Sequence, residues 1–429
     1  MTAKWLTPGR FLALGFAAVI LLGAGILLLP ISANPGVVVR PVDALFTSTS
    51  AVCVTGLIAI DTADTFNVFG RTVVALLIQI GGLGITSIGV AFILLAGKRI
   101  GLRERVLVRE SLNLNTLQGV VRLVKSIMIV TLCFEGLGMA LSYLVFSRDY
   151  APLSALGISA FHAVAAFNNS GFDILGGYRN LIPYRDDVLL NLTTCGLIIF
   201  GGLGFHVIRE LLHARSWRAL SMNAKIVLTM TASLLAIGTV LLKLTDNVSW
   251  LGAFFQSTSA RTAGFSTYAL GEFSAAGQFV LILLMFIGAS PGSTGGGVKT
   301  TTAFTLMRSL LAFSTNRDCT AFRRKISPES VRKAFTITTL AAVLVCLITL
   351  LVCMIEPQFP FIQVLFEVVS GFGTVGLSTG ITPHLADASK LLLCLTMFVG
   401  RLGPLTLACI WVYQPTSNLS YAEERVTIG

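Results

Sequence analysis

The sequence predicts an all-α membrane protein with eight transmembrane helices, arranged as four consecutive helix–loop–helix repeats. The first observation is composition, because 54% of the 429 residues are hydrophobic and 12% are charged, whereas soluble domains carry about 25% charged residues. The second is a series of apolar stretches near residues 11–30, 72–97, 123–146, 187–208, 225–244, 276–313, 334–355 and 389–413. Each stretch is long enough to cross a hydrocarbon core of about 30 Å.

The third observation is a motif that falls between each odd-numbered apolar stretch and the next. It reads apolar residue, Phe, nine residues, Gly, apolar residue, and its four copies are Leu45-Phe46 to Gly56-Leu57, Ala160-Phe161 to Gly171-Phe172, Ala253-Phe254 to Gly264-Phe265 and Leu365-Phe366 to Gly376-Leu377. A short helix of about ten residues would enter the membrane without crossing it, and the glycine would turn the backbone back. Four such loops can close one ring of backbone carbonyls, which replaces the water shell of a monovalent cation. The pattern therefore predicts pseudo-fourfold helix–pore loop–helix repeats around a central ion pore.

These features divide the chain into four repeats, two connectors and a tail. The boundaries are repeat 1 at 1–97 with pore loop 42–57, a connector at 98–121, repeat 2 at 122–213 with pore loop 154–172, repeat 3 at 214–313 with pore loop 248–265, a connector at 314–331, repeat 4 at 332–413 with pore loop 360–377, and a tail at 414–429. The first apolar run is too long for a signal-peptide core and lacks a cleavage site, so we expect it to remain as a spanning helix.

Charge predicts the orientation. The termini and connectors on one side of the predicted membrane hold 21 of the 31 basic residues and seven acids. By the positive-inside rule this side is cytoplasmic, both termini included, and the protein is a multi-pass protein of the cytoplasmic (inner) membrane. The opposite side holds eleven acids, which would raise the local cation concentration modestly. The basic residues are divided among loops without an aromatic platform, so no nucleic-acid partner is expected.

The third repeat contains a predicted break. Gln278 to Phe313 is 36 residues, about 54 Å as one helix, which exceeds the hydrocarbon core. The break at 288–299 contains Gly288, Pro291, Gly292, Gly295, Gly296, Gly297 and Lys299. Irregular backbone at membrane depth is tolerated only against protein or water, so this segment is predicted to gate the pore. A phosphate-binding loop is disfavoured because Val298 precedes Lys299 and no strand leads into the segment; a break that only permits close helix packing remains the alternative.

The second helices share small residues at one depth, in Ile80–Gly84, Phe200–Gly204, Ile287–Gly292 and Val399–Pro404. Such residues allow close approach of helices around an axis. In the fourth copy Arg401 replaces a glycine in an otherwise uncharged span, at a cost of about 2.5–3.5 kcal/mol on insertion scales. We favour Arg401 as a fixed positive charge that gates the pore, with a structural tie as the alternative.

Other function classes fit less well. Secondary transporters of organic substrates also use broken helices, but typically repeat as two halves. An enzyme is not expected, and no catalytic residue is assigned, because His162, His206, His213 and His384 lack the spacing of metal ligands. The eight cysteines are scattered and are predicted to be free thiols. Glu135 is predicted to hydrogen bond between helices, with a role in the ion path as the alternative.

Five segments carry a resemblance along nearly the whole chain. They are Ala51–Leu57, Ser259–Phe265, Gly371–Gly380, Pro291–Thr300 and Gly400–Pro404. Together with the fourfold plan they resemble the bacterial Trk/Ktr potassium-uptake proteins of the Trk/Ktr/HKT potassium-transporter family. The first apolar run leads directly into the first pore loop, and the chain ends in Glu423–Gly429. In both respects the chain is more similar to the KtrB subunit branch than to TrkH.

The resemblance implies potassium uptake through a selectivity filter of four pore loops. The implied potassium-binding residues are Val54, Thr55, Gly56, Asn169, Ser170, Gly171, Thr262, Ala263, Gly264, Thr374, Val375 and Gly376. It further implies that the 288–299 break is an intramembrane gate with Arg401 beside it. Because the second loop, Phe167–Phe172, and Cys53 depart from the family's pattern, a less selective sodium/potassium translocator stays an alternative, and sodium dependence stays open.

The resemblance also implies partners. The chain would form a homodimer in membrane lipid, with one pore per subunit, under a cytoplasmic ring of nucleotide-binding KtrA-type subunits. Potassium is then the substrate, no cofactor is bound by this chain, and the regulatory nucleotide is expected on the partner. The connectors, at roughly 20–30 residues each, are too short to fold as nucleotide-binding domains themselves.

Overall fold

The computed structural model describes residues 8–95, 101–111, 119–214 and 216–406. In chain order its helices are α1 (Pro8–Leu28), α2 (Pro41–Val52), α3 (Thr62–Thr65), α4 (Val68–Leu83), α5 (Ile85–Leu95), α6 (Leu102–Ser111), α7 (Val120–Phe146), α8 (Pro152–Phe167), α9 (Val188–Leu203), α10 (Phe205–His213), α11 (Met222–Thr245), α12 (Trp250–Ser259), α13 (Ala275–Phe286), α14 (Thr300–Ser314), α15 (Pro328–Ile355), α16 (Phe361–Gly373) and α17 (Asp387–Leu402). The strands β1 (Thr320–Ala321) and β2 (Arg324–Lys325) pair antiparallel. The predicted tail at 414–429, with the resemblance of Glu423–Gly429, lies outside the described residues.

One succession of elements occurs four times. A long helix comes first, of 21, 27, 24 and 28 residues in α1, α7, α11 and α15. A short helix of 12, 16, 10 and 13 residues follows in α2, α8, α12 and α16, then an irregular loop and a second helix. Within the described residues, the four long helices meet the length and hydropathy of a membrane span. The prediction of a mostly helical membrane protein is confirmed, and the count of eight spans stays a prediction.

The short helices begin and end where their sequences direct. Pro41 and Pro152 stand at the first positions of α2 and α8, where the missing N–H costs nothing. Ser249 caps α12 by accepting the Gly252 N–H at 3.0 Å. The phenylalanine of each motif lies within its short helix and packs against the core, with Phe46 and Phe366 fully buried. The C-terminus of each short helix leads into a glycine loop.

The packing of second helices closes the four units into a ring. Each second helix packs on the short helix of the next unit, with α4 on α8, α9 on α12, α13 on α16 and α17 on α2. The last contact joins the end of the described chain to its beginning. The four glycine loops are consequently brought to one axis.

The second helices of repeats 1 and 2 are sharply bent, which the sequence analysis did not predict. The axes of α4 and α5 differ by 98° at Gly84, and those of α9 and α10 by 99° at Gly204. The apolar stretches 72–97 and 187–208 are therefore each divided into two helices that meet at a sharp bend. Gly84 and Gly204 have φ of 82° and 90°, which glycine adopts without the steric cost that other residues carry. Gly403 has the same conformation, with φ 89°, at the end of α17.

Candidate ion pathway

The four glycine loops share one backbone conformation. Their glycines have positive φ, with 94° at Gly56, 67° at Gly171, 81° at Gly264 and 92° at Gly376. Two residues earlier stands a non-glycine residue with positive φ, namely Val54 (57°), Asn169 (58°), Thr262 (71°) and Thr374 (49°). The intervening residues have ordinary negative φ. A left-handed non-glycine residue costs about 1–2 kcal/mol, so its recurrence at four equivalent positions indicates a functional constraint.

This alternation has a consequence for the carbonyl groups. In a strand of uniform handedness, successive carbonyls point to opposite sides. Alternating signs of φ turn successive carbonyls toward the same side, which is how a loop presents several oxygens to one ion.

The four glycines meet head to tail in a closed ring. A Cβ built on any one of them would lie 2.7–3.1 Å from the Cα of the next, in the order Gly56, Gly171, Gly264, Gly376 and back to Gly56. The same atom would meet the carbonyl oxygen of the residue before the next glycine, respectively Ser170, Ala263, Val375 and Thr55. No side chain fits at these positions without displacing the neighbouring backbone. The loops thus close on one another, and the ring consists of main chain.

Side chains of the short helices hold the loops in place. Ser50 Oγ accepts the Gly56 N–H and Ser370 Oγ accepts the Gly376 N–H, each at 3.0 Å. Glu367 in α16 accepts from the Thr379 N–H at 2.8 Å and from the Thr382 hydroxyl at 2.6 Å. These bonds fix the chain on both sides of Gly376. The predicted Val375 and Thr374 therefore occupy a rigid loop.

The second loop is anchored by amide side chains. Asn168 Nδ2 donates to Glu135 Oε1 at 3.1 Å and to Gln79 Oε1 at 2.8 Å, which joins α7, α4 and the end of α8. This is the helix-to-helix bonding expected of Glu135. The side chain of the neighbouring Asn169 lies 3.3 Å from Thr262 Oγ1, so the second and third loops are also linked through side chains.

The 288–299 segment lies directly beneath the ring. A Cβ on Gly295 would meet the Thr262 side chain, and one on Gly296 would meet the Thr374 side chain. The Gly296 N–H donates to Thr374 Oγ1 at 3.0 Å. The segment is folded on itself through a parallel bridge between Ile287 and Val298. It therefore packs against the third and fourth loops.

The same segment contacts the second helix of repeat 2. The Ser290 N–H donates to the Gly202 carbonyl at 3.1 Å, and the Thr294 N–H donates to the Gly201 carbonyl at 3.3 Å. Lys299 Nζ donates to the Gly295 carbonyl at 2.8 Å and to the Gly296 carbonyl at 3.3 Å. The lysine thus closes the segment on itself.

Arg401 connects this segment to repeat 1. Its guanidinium donates to the Thr294 carbonyl, to the Gly81 carbonyl, and to the Gly82 carbonyl at 3.3 Å. Through these bonds the 288–299 segment is linked to all four units of the ring. The carbonyls supply the partners that a mid-membrane guanidinium needs.

Comparison with known proteins agrees with this geometry. The profile of the family described as TrkH, cation transport protein, matches residues 16–248 and 221–420. The chain belongs to the TrkH family of cation transport proteins. It is 38% identical over 444 residues to the Ktr system potassium uptake protein B of Bacillus subtilis (strain 168), covering 99% of this chain and 98% of that protein. It is 35% identical over 444 residues to the potassium/sodium uptake protein NtpJ of Enterococcus hirae, with the same coverage.

A solved structure supports the fold. The crystal structure of the potassium transporter TrkH from Vibrio parahaemolyticus superposes with a TM-score of 0.75 at 18% identity, covering 96% of this chain and 86% of that one. The resemblance to the Trk/Ktr family is thus confirmed.

The loops that follow the first two glycine loops of this TrkH-family protein carry acidic residues and bond to each other. Asp61 accepts the Tyr178 N–H at 2.7 Å, and Asp64 accepts the Gly177 N–H at 2.9 Å, which ties the outer loops of repeats 1 and 2 together. Burial raises the pKa of Asp173 to about 7, with a further contribution from the negative charges of Asp61 and Asp64. The Leu175 N–H, which donates to Asp173, opposes this shift.

The roles of several residues of the pathway in this TrkH-family protein were not predicted from the sequence. Thr294 anchors the segment through its N–H, its hydroxyl and its carbonyl, and Gly81 and Gly82 receive Arg401. The Gly-Gly-Leu-Gly repeat was a usable signal for the carbonyls. No sequence signal distinguished Thr294 from the other small polar residues of the break.

Proposed function

We propose that this chain takes up potassium across the cytoplasmic membrane, with the ring of Gly56, Gly171, Gly264 and Gly376 as its selectivity filter. The observation that carries the proposal is the head-to-tail closure of these glycines. A ring built of main chain presents carbonyl dipoles to an ion and offers no carboxylate, which suits a dehydrated monovalent cation. The names of the relatives, potassium uptake protein and potassium/sodium uptake protein, support the same cargo.

The test is uptake by the purified protein in liposomes. Vesicles loaded with potassium should accumulate external rubidium-86 as potassium leaves. External potassium should compete with this rubidium uptake far better than external sodium does. Protein-free liposomes measure leakage, and the variant Gly157→Ser, at a glycine whose added Cβ meets nothing within 4 Å, controls for the effect of mutation itself. Absence of rubidium and sodium flux in well-folded wild-type protein would refute the proposal.

A less selective sodium/potassium translocator is the second candidate. The second loop carries amide side chains at Asn168 and Asn169, and Asn169 reaches the third loop at Thr262. Such a contact between the side chains of two loops can set the width of the ring. This width can therefore differ among relatives that carry other side chains here. Sodium-22 uptake in the same vesicles separates the two candidates, since a selective filter passes sodium far more slowly than rubidium.

The gate is assigned to the 288–299 segment with Arg401. The segment comprises Gly288, Pro291, Gly292, Gly295, Gly296, Gly297 and Lys299 among the predicted gate residues. Its contacts with Thr262 and Thr374 support a position across the path of an ion that leaves the ring toward the cytoplasm. Two cationic groups, Lys299 and Arg401, bond to its carbonyls. Such an arrangement opposes cation passage until the segment moves.

The protein is proposed to act as a homodimer in membrane lipid, with a cytoplasmic ring of nucleotide-binding KtrA-type subunits. The relatives are named as parts of a Ktr system, and the hairpin of β1 and β2 between α14 and α15 offers an ordered cytoplasmic surface. Regulation requires contacts that differ between open and closed pores. Purification of the tagged chain from native membranes should recover a soluble partner; recovery of this chain alone would contradict the assignment.

The domain boundaries and the cytoplasmic location of both termini and connectors belong to the same proposal. Cys319 lies in the connector 314–331 and is partly exposed. With the other cysteines replaced by serine, a membrane-impermeant maleimide should label Cys319 in inverted vesicles and not in intact cells. The opposite result would invert the proposed orientation.

A further inference from the structure

Arg261 is a charged residue for which the proposed ion path supplies no partner. It stands in the third glycine loop, three residues before Gly264, and it is 7% exposed. Its Nε has no hydrogen-bond partner, and within the described ranges its side chain takes part in no hydrogen bond or ion pair. This contrasts with Arg401, whose guanidinium bonds to three carbonyls. A second arginine of the pore region thus lies mostly buried, with no bonding partner for its side chain among the described residues.

A second polar group faces the same place. Arg261 lines a small, partly open cavity together with Thr231 of α11, and among the described residues the Thr231 hydroxyl is also buried without a partner. Thr231 is 8% exposed. The other walls come from α9, α11 and α12, at Ile198, Ile199, Gly202, Leu235 and Thr258. The cavity therefore lies between repeats 2 and 3, behind the third loop.

The chemistry of the lining selects the sign of an occupant. A guanidinium offers only donors, and a threonine hydroxyl whose oxygen has no partner can donate as well. Both groups are satisfied by an acceptor, and the positive charge is compensated only by an anion. The cavity has a volume of about 10 Å³, room for roughly one water-sized group. A monatomic anion therefore fits better than a phosphate or carboxylate group.

We propose that the cavity between Arg261 and Thr231 binds one halide-sized monovalent anion, which neutralises the arginine behind the third loop. The bound anion removes a positive charge that would otherwise repel a cation at Gly264. Potassium passage through the ring then depends on the anion. The inference concerns a site separate from the ring and its gate, since neither Arg401 nor Lys299 lines the cavity.

The first test measures anion binding and does not depend on transport. Crystals of the full chain grown in sodium bromide, measured at the bromine absorption edge, should show an anomalous peak between the Arg261 guanidinium and the Thr231 hydroxyl. The variant Thr231→Val should lose most of this peak, whereas Thr239→Val, on the same helix with its hydroxyl bonded to the Leu235 carbonyl, should retain it. Density for a water without an anomalous peak in the wild type would overturn the proposal.

The second test measures whether the bound anion affects cation uptake through the pore. Rubidium uptake by wild-type proteoliposomes should fall several-fold when methanesulfonate replaces chloride on both sides. Arg261→Gln, which lacks the charge, should be insensitive to this exchange, and Thr231→Val should require more chloride for half of the full rate. Equal uptake by the wild type in both salts would overturn the coupling. The bromide measurement does not depend on flux, so a failure of the proposed potassium transport is distinguished from a failure of the anion site.

Discussion

Lys390 Nζ lies 3.0 Å from Asp43 Oδ1, and this buried ion pair joins α17 to α2 across 347 residues of sequence. The two side chains are 2% and 5% exposed. Arg40 bonds to the other carboxylate oxygen of Asp43 at 2.7 Å, but its side chain is 55% exposed. The pair fastens the last second helix to the first short helix, where the ring of four units closes.

Replacing the buried lysine should destabilise the protein. Lys390→Met removes the buried partner of the Asp43 carboxylate and leaves only the exposed Arg40, so we expect the free energy of unfolding to fall by about 3–5 kcal/mol. Arg40→Gln removes only an exposed partner and should cost about 1 kcal/mol or less. Denaturant titration of the detergent-solubilised protein measures both. Equal losses in the two variants would show that the buried pair has no special role.

Substitution in the glycine ring should weaken selectivity. A side chain at Gly376 would meet the Thr55 carbonyl and the Gly56 Cα, and its φ of 92° disfavours any residue but glycine. We expect Gly376→Ser to lower discrimination against sodium by about tenfold, which corresponds to about 1.4 kcal/mol. Competition of sodium with rubidium uptake provides the measurement, with Gly157→Ser as control. Unchanged selectivity in serine variants of all four glycines would exclude the ring as the filter.

Shortening the break should raise flux. Deletion of residues 292–296 removes the contacts of the segment with Thr262 and Thr374 and the anchor on Gly201. The barrier beneath the ring would then be lost, and rubidium uptake per molecule should increase several-fold. Gel filtration establishes that the deletion variant is folded. Should it fold and conduct no faster than the wild type, the segment serves packing alone.

Neutralising Arg401 should also speed transport. In a constriction of low dielectric, repulsion between its charge and an entering potassium ion amounts to a few kcal/mol, and its bonds to Thr294, Gly81 and Gly82 hold the segment in place. Arg401→Gln loses the charge and most of the bonds, so we expect uptake to rise about tenfold. Arg401→Lys keeps the charge and should stay closer to the wild type. A folded but slower Gln variant would identify Arg401 as a structural tie only.

Uptake at low potassium should depend on external pH through Asp173. Because its pKa is raised to about 7, the carboxyl is largely charged at pH 8 and largely protonated at pH 6. Loss of this charge lowers the local cation concentration at the outer mouth, so uptake below saturation should fall by about twofold between pH 8 and pH 6. Asp173→Asn should remove this dependence and resemble the wild type at pH 6. A variant with the full pH dependence would assign it to another group.

The fourfold arrangement was predictable because each repeat is specified by a short local sequence motif. Each Phe-x9-Gly motif specifies a short helix and a turn within twelve residues, and the recurrence indicates that the four turns meet at one axis. The bends at Gly84 and Gly204 were harder to predict, since the apolar run continues across each glycine. Composition does not distinguish a glycine that permits close helix packing from one at which the helix bends. The bend depends on where the following segment finds its partners.

The partners of charged residues were also not predictable from the sequence. The sequence indicated that Arg401 needs a partner, yet the carbonyls that supply it come from residues more than one hundred positions away. The Lys390 and Asp43 pair and the Thr231 and Arg261 cavity likewise depend on tertiary packing. Side-chain partners across units follow from the closed ring and not from local spacing.

The closed ring also constrains how the chain can be made. Because α17 packs on α2, the first glycine loop acquires its neighbours only after the fourth repeat has been synthesised. Until then the growing polypeptide lacks a finished conduit. A polypeptide that ends before α17 would therefore lack the contact that closes the ring.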